Sequence, residues 1–75
     1  MKEIDKIIEV LVRDMDVFMH IGNKGVRFNI DGVQHLALRD ALRGGIGIYC
    51  RGKLENFMWD REKGRWKHIP APQVD

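Results

Sequence analysis

The chain has 75 residues, enough for one domain that buries only about 60–65% of its unfolded surface and has little room for a deep pocket. Its composition, 44% apolar and 32% charged, excludes an intrinsically disordered chain, and a net charge of +2 is too small to mark a nucleic-acid binder by itself. Cys50 is the only cysteine, which excludes an intrachain disulfide and fits a reducing compartment. No run is long and apolar enough for a membrane span, and Lys2, Glu3, Asp5, Lys6 and Glu9 leave no signal-peptide core. A cytoplasmic protein without membrane contact is the expectation.

Ile4, Ile7, Ile8, Leu11 and Met15 recur with the period of an amphipathic helix. The spacing predicts a helix over 3–13, with Glu9 and Arg13 able to pair on its outer side. The same pattern extends to Phe18, which leaves one longer helix capped at Gly22 as the alternative. Val17, Met19 and Ile21 alternate with Phe18 and His20, and this favours a strand over 16–21. After Gly22-Asn23-Lys24-Gly25, the alternation of Val26, Phe28 and Ile30 predicts a second strand over 26–30. Paired as a hairpin, the two strands place six apolar side chains on one face.

Asp31-Gly32-Val33-Gln34 has the form of a helix capping box. Val33, Leu36, Ala37, Leu38, Ala41 and Leu42 form a broad apolar arc that stops at Gly44-Gly45. A helix over 32–43 is predicted. Ile46, Ile48 and Cys50 then alternate, and a type II′ turn at Gly52-Lys53 would oppose Ile48 to Phe57 and Ile46 to Trp59. A turn at Arg61-Glu62-Lys63-Gly64 leads to a last strand over 65–69. A four-residue loop there opposes Trp59 to Trp66 and Asp60 to Arg65. A shift by one residue would put Lys67 and Ile69 on the apolar face and Trp66 outside. Pro70-Ala71-Pro72 ends the sheet. The prediction is a single α+β domain over 1–69, in the order α-β-β-α-β-β-β, built of antiparallel hairpins with helices packed on one face. A short Pro-containing tail covers 70–75.

The segment from Ile46 to Ile69 holds four of the six aromatic side chains and six of the thirteen Lys/Arg. Met1 to Leu38 carries five Lys/Arg against six Asp/Glu, whereas Arg39 to Asp75 carries eight against five. Aromatic side chains set among cations anchor protein interfaces or stack on bases beside neutralised phosphates. The candidate partner-binding residues are therefore Tyr49, Arg51, Arg61, Lys63, Arg65, Trp66 and Lys67. The competing explanation is a solvated sheet edge with both tryptophans in the core. His35, Arg39 and Arg43 fall at i, i+4 and i+8 of the predicted second helix and form a secondary basic stripe.

No chemistry-bearing motif accompanies these residues. Gly22-Asn23-Lys24-Gly25 and Arg43-Gly44-Gly45-Ile46-Gly47 read as turn and cap glycines, not phosphate loops. The separations of His20, His35, His68 and Cys50 match no zinc pattern, so no metal and no cofactor are expected. Cys50 falls beside Phe57 on the apolar face, which favours a buried, unreactive thiol. With no nucleophile, base and orienting group to assemble, no catalytic residue and no enzyme activity are expected. In size and layout the chain resembles stand-alone regulators and phage-type inhibitors. The leading expectation is a small regulatory or inhibitor-type protein that binds a larger protein, such as one in a nucleic-acid-handling complex, through its basic-aromatic sheet surface. The alternative is direct binding of DNA or RNA through the 51–67 hairpin and the Arg39/Arg43 helix face. A homo-oligomer through an open sheet edge is the third.

Overall fold

The computed structural model describes residues 2–40 and 44–70. Helix α1 spans Glu3–Arg13, the range its apolar spacing predicts. Ile7, Val10 and Leu11 point inward, and Glu3 and Asp5 lie in the first turn, where the helix dipole favours acids. Asp14 breaks the helix by leaving helical geometry (φ −109°, ψ 43°). Its carbonyl accepts from the Val17 and Phe18 N–H groups at 3.0 and 3.3 Å, which starts a new turn, α2, Met15–Met19.

The strand predicted over 16–21 is therefore a short helix. The reason lies in which side chain needs burying. A strand would have turned Val17 and Met19 inward and Phe18 outward. The helical turn instead buries Phe18, the largest of the three, and leaves Val17 and Met19 48% and 44% exposed. Phe18 meets Phe28 edge-on, with ring centroids 5.4 Å apart. The Gly22–Gly25 turn does form, with the Gly25 N–H donating to the Gly22 carbonyl at 3.2 Å. It joins a helix to a strand and does not close a hairpin.

Five strands follow: β1 Val26–Ile30, β2 Val33–Asp40, β3 Gly45–Cys50, β4 Lys53–Asp60 and β5 Arg65–Ile69. They form one antiparallel sheet in the order β1-β2-β3-β4-β5. The described elements thus run α-α-β-β-β-β-β, and the predicted α-β-β-α-β-β-β order is corrected at two places.

The second correction is the helix predicted over 32–43. Asp31 and Gly32 have φ of 51° and 80°, a pair of left-handed residues that makes a two-residue hairpin turn between Ile30 and Val33. An Asp-Gly pair between alternating apolar residues is a strong hairpin signal, and here it outweighs the capping box. The apolar arc arises because β2 is apolar on both faces. Val33, His35 and Ala37 face the helices; Leu36 and Leu38 face away. Ala41, Leu42 and Arg43, the end of that predicted helix, lie outside the described residues, as do 71–75 of the predicted tail.

The third correction is a turn. Arg51 and Gly52, both with positive φ, form the β3–β4 connection, one residue before the predicted Gly52-Lys53. Ile46 therefore pairs with Phe57 instead of Trp59, and Ile48 with Glu55 instead of Phe57. The slip is a whole side-chain period, so the predicted face survives: Ile46, Ile48, Cys50, Phe57 and Trp59 still share it. Between β4 and β5 the four-residue loop sets the register, with Trp59 opposite Trp66 and Asp60 opposite Arg65. Asp60 holds this loop by accepting from the Glu62 and Lys63 N–H groups at 3.0 and 3.2 Å.

One apolar cluster joins the two layers. Ile7, Val10 and Leu11 of α1, Phe18 and Ile21 pack with Ala37, Ile46, Ile48, Phe57 and Trp66 of the sheet. Every one of these strand residues lies on the same face, so both helices' buried side chains meet that face. The helix α1 begins over the β1–β2 turn, where Lys6 pairs with Asp31, and reaches across to β5.

Gly45 and Gly47 let the side chains and backbone of β4 come close to β3. A Cβ on Gly45 would stand 2.1 Å from the Phe57 carbonyl oxygen, a backbone atom that cannot yield without breaking the pairing. Gly45→Ala is therefore expected to destabilise by about 1–3 kcal/mol or more. Gly22, with open space around it and no positive φ, should gain about 0.4–1 kcal/mol on substitution by alanine through reduced unfolded-state entropy. Urea unfolding of both variants checks the pair of signs. Phe57, fully buried at the sheet centre, should cost about 3–5 kcal/mol on truncation to alanine in the same assay.

Candidate functional site

Strand alternation divides the residues singled out in the sequence among three places. Tyr49, Arg65 and Lys67 project from the sheet face that carries no helix. Arg51 sits in the β3–β4 turn. Arg61 and Lys63 sit in the β4–β5 turn, at the opposite end of a strand of eight residues, about 26 Å away along the chain. These cations therefore do not form one continuous track. Trp66 is only 5% exposed, packed edge-on against Trp59 at 5.6 Å between ring centroids. It is a core residue, and its assignment to a partner-binding surface is corrected. Its indole N–H finds no acceptor among the described residues, a burial cost that the surrounding apolar packing must offset.

The secondary stripe also dissolves. On a strand, His35 and Arg39 share a face, but His35 is buried at 2% exposure and Arg39 is exposed toward one end. Arg43 lies outside the described residues.

The helix-free face has a definite composition. Across the sheet run Arg27, Leu36, Tyr49 and Leu54 in one row. The next row holds Leu38, Gly47, Asn56 and Ile69, and a third holds Asp40, Gly45, Met58 and Lys67. Tyr49, Leu54 and Met58 are among the exposed large apolar side chains of the chain; Leu36, Leu38 and Ile69 are half-buried. Gly45 and Gly47 form a floor on which Met58 and Leu54 lean. Arg27, Arg65 and Lys67 stand at the rim. Sequence reasoning found Tyr49 and the β5 cations here but missed Leu36 and Leu38, which the helix reading had placed in the core.

The covered face brings together a second group. Leu36 pairs with Tyr49, which puts His35 and Cys50 side by side one step further along, beneath the first turn of α1. Glu3 reaches down to them: its Oε1 lies 4.0 Å from His35 Nε2. The possible ligand atoms of Glu3, His35 and Cys50 all lie within 4.8 Å of one another. His35 Nδ1 is 2.9 Å from the Val33 carbonyl oxygen. A carbonyl only accepts, so Nδ1 carries the hydrogen, and in the neutral ring Nε2 keeps its lone pair. Among the described residues Nε2 has no hydrogen-bond partner. The ring itself stacks on Phe28 at 5.2 Å. A cleft of about 240 Å3 lined by Glu3, Lys6, Ile30, Asp31, Val33, His35 and Arg51 opens beside the group.

Burial pushes the Cys50 thiol above its ordinary range, and the negative charge of Glu3, to which the thiol donates, pushes it the same way. Nearby, the Lys6–Asp31 pair raises the lysine and lowers the aspartate, each through the hydrogen bond first and the charge second. At the neighbouring hairpin, His68 Nε2 donates to Glu55 Oε2 at 2.7 Å while its ring packs on Phe57. Sequence spacing could not reveal the Glu3–His35–Cys50 group. Its members are distant in the chain, and only the Asp31-Gly32 turn places His35 on a strand next to Cys50.

No family model, curated protein or solved structure matches the chain.

Two measurements check this placement. In a Trp59→Phe variant the remaining Trp66 should emit at short wavelength and resist iodide quenching; emission like that of free tryptophan would place it outside the core. With the thiol raised, iodoacetamide should modify Cys50 more slowly in the folded chain than in urea at the ordinary thiol pKa of about 8.5.

Proposed function

We propose that the chain is a small binding protein that docks on a larger protein through the helix-free face of its sheet. The observation that carries this reading is the cluster of exposed Tyr49, Leu54 and Met58, with the half-buried Leu36, Leu38 and Ile69 beside them, on a glycine floor. A sheet with one wet face ordinarily alternates apolar-in and polar-out. This one is apolar in the middle of both faces. A contiguous exposed apolar patch rimmed by charge is the usual mark of an interaction surface. Tyrosine at its centre and arginine at its rim are the residue types that supply anchoring energy.

The rim sets the partner's chemistry. Arg27, Arg65 and Lys67 stand on this face against two acids, Asp40 and Asp60, and Asp60 is engaged with the β4–β5 loop, so the rim is net positive. The complementary surface is an apolar patch with carboxylates around it, and such complementarity acts mainly on association rate and orientation. A regulatory or inhibitor role fits a domain of this size, which acts by covering a surface of its target.

Direct nucleic-acid binding has less support. Trp66 is not available to stack on a base, and Arg51 is separated from Arg61 and Lys63 by the length of β4. The exposed face offers a single aromatic side chain, Tyr49.

Tyr49→Ala and Met58→Asp variants, shown folded by circular dichroism, should each lose at least about tenfold of the affinity for whatever protein the wild-type chain retains from its native host, since central anchors of an interface cost about 2 kcal/mol or more on truncation. Lys63→Ala, in the distant turn, should leave recovery unchanged. Equal recovery by all three variants rules out this face. A salt-sensitive gel shift of nucleic acid by the wild type, unaffected by Met58→Asp, would favour the nucleic-acid reading instead.

A further inference from the structure

We propose that Glu3, His35 and Cys50 form a binding site for a single divalent transition-metal ion of the zinc class, on the face of the sheet opposite the proposed docking surface. Three observations meet there. The donor set is one imidazole nitrogen, one thiol sulfur and one carboxylate oxygen, the ligand types that Zn2+ takes in sites with three protein ligands. The candidate ligand atoms lie within 4.8 Å of one another, so a modest inward movement of the exposed Glu3 side chain brings them to one centre. Independently of the clustering, His35 is 98% buried in the sense that 2% of it is accessible, and its Nε2 points into the group without a partner.

The histidine is already prepared for a cation. Its Nδ1–H is held by the Val33 carbonyl at 2.9 Å, and stacking on Phe28 fixes the ring plane. A metal-bound histidine commonly has this arrangement: one nitrogen hydrogen-bonded to a carbonyl, the other left with its lone pair toward the ion. Without a cation the same arrangement strands a buried acceptor.

Binding is a proton exchange at Cys50. The thiol S–H bond breaks, its electron pair forms the sulfur–metal bond, and the proton leaves to solvent. Glu3 supplies a carboxylate oxygen and His35 a neutral nitrogen, so neither needs to lose a proton. The fourth position faces the cleft beside Lys6 and Arg51, where water or a small anion completes the coordination. Three protein ligands and an accessible fourth position make a site open to exchange, not a closed structural one.

The test is a titration of the metal-free full chain with Co2+, followed by displacement with Zn2+. Co2+ should produce a near-ultraviolet thiolate-to-cobalt band and the visible bands of a four-coordinate ion, saturating at a single equivalent and vanishing as Zn2+ is added. Cys50→Ser should lose the thiolate band. Glu3→Gln, on an exposed side chain outside the core, should weaken Co2+ binding by no less than the roughly 10–100-fold that loss of a supporting partner costs. Nitrogen-15 spectra with Zn2+ should move the His35 Nε2 resonance and leave His20 and His68 in place. The site is overturned if the folded wild type shows no thiolate band, if Cys50→Ser and Glu3→Gln bind Co2+ as the wild type does, or if Zn2+ moves His20 or His68 and not His35.

Discussion

Two pairs of left-handed residues, Asp31-Gly32 and Arg51-Gly52, set the register on which every later feature rests. Each closes a two-residue hairpin, whose backbone twist matches that of the strands it joins. Once Ile30 faces Val33 and Cys50 faces Lys53, and Leu36 faces Tyr49 and Trp59 faces Trp66 across the other two pairings, side-chain alternation has no freedom left. Val26, Phe28, His35, Ala37, Ile46, Ile48, Phe57 and Trp66 must share one face, and Leu36, Leu38, Tyr49, Leu54 and Met58 must share the other. A slip of one residue at the first turn would turn β1 over and put Arg27 against the helices; a slip at the second would put β4 and β5 out of phase with β3 and turn Arg65 and Lys67 toward them. Glycine takes the second position of both turns at no steric cost, and Asp31 tolerates the left-handed conformation better than most residues.

The helices cover only one of these faces. The helix α1 is short, and the break at Asp14 folds the chain back so that Phe18 reaches the same cluster. Burying Phe18 through a second helical turn uses the chain that a sixth strand would have needed. The sheet has two open edges, β1 and β5, and one uncovered face among the described residues. On the edge strands the outward positions are Arg27, Asn29, Arg65, Lys67 and, at the end of β5, Ile69. Charged and polar side chains there discourage edge-to-edge pairing. The uncovered face has no such protection at its middle, where β2, β3 and β4 present Leu36, Leu38, Tyr49, Leu54 and Met58. That asymmetry, polar edges around an apolar centre, is what separates this surface from an ordinary solvated sheet.

How much of this was legible in the sequence follows from which patterns had a single reading. The helix over Glu3–Arg13 was legible because its apolar residues fit only the helical period. The strands at 26–30 and 65–69, and the alternation of Ile46, Ile48 and Cys50, were legible because alternation and glycine turns agreed. The stretch from Val33 to Asp40 was not, because a strand apolar on both faces has no alternation to read and resembles a helix with a wide apolar arc. The local contest between Asp31 as a helix cap and Asp31-Gly32 as a hairpin turn was decided by tertiary structure, since only the strand lets Phe28 stack on His35 and Ala37 fill the sheet centre. That one misreading hid both surfaces. It buried Leu36 and Leu38, which face outward, and it moved His35 to a solvated helix stripe. Trp66 was ambiguous for a different reason: its register depended on loop length alone, and the contact with Trp59 settles it.

The same misreading kept His35 apart from Cys50, whose separation in the chain fits no zinc pattern, and the geometry shows what an ion would add. The near end of α1 is tied to the sheet by Lys6 and Asp31, both solvent-exposed, and a pair of that kind contributes little to stability. Beneath it lies a buried histidine acceptor with no partner, whose desolvation costs about 1–3 kcal/mol. A cation held by Glu3, His35 and Cys50 changes both terms at once. It satisfies Nε2 and it bonds the first turn of α1 to β2 and β3. The free energy of binding then adds to that of folding, because the three ligands come together only in the folded chain. The face that carries Tyr49 and Met58 lies on the other side of those same two strands. Metal occupancy would reach it through the rigidity of β2 and β3, not through any shared side chain.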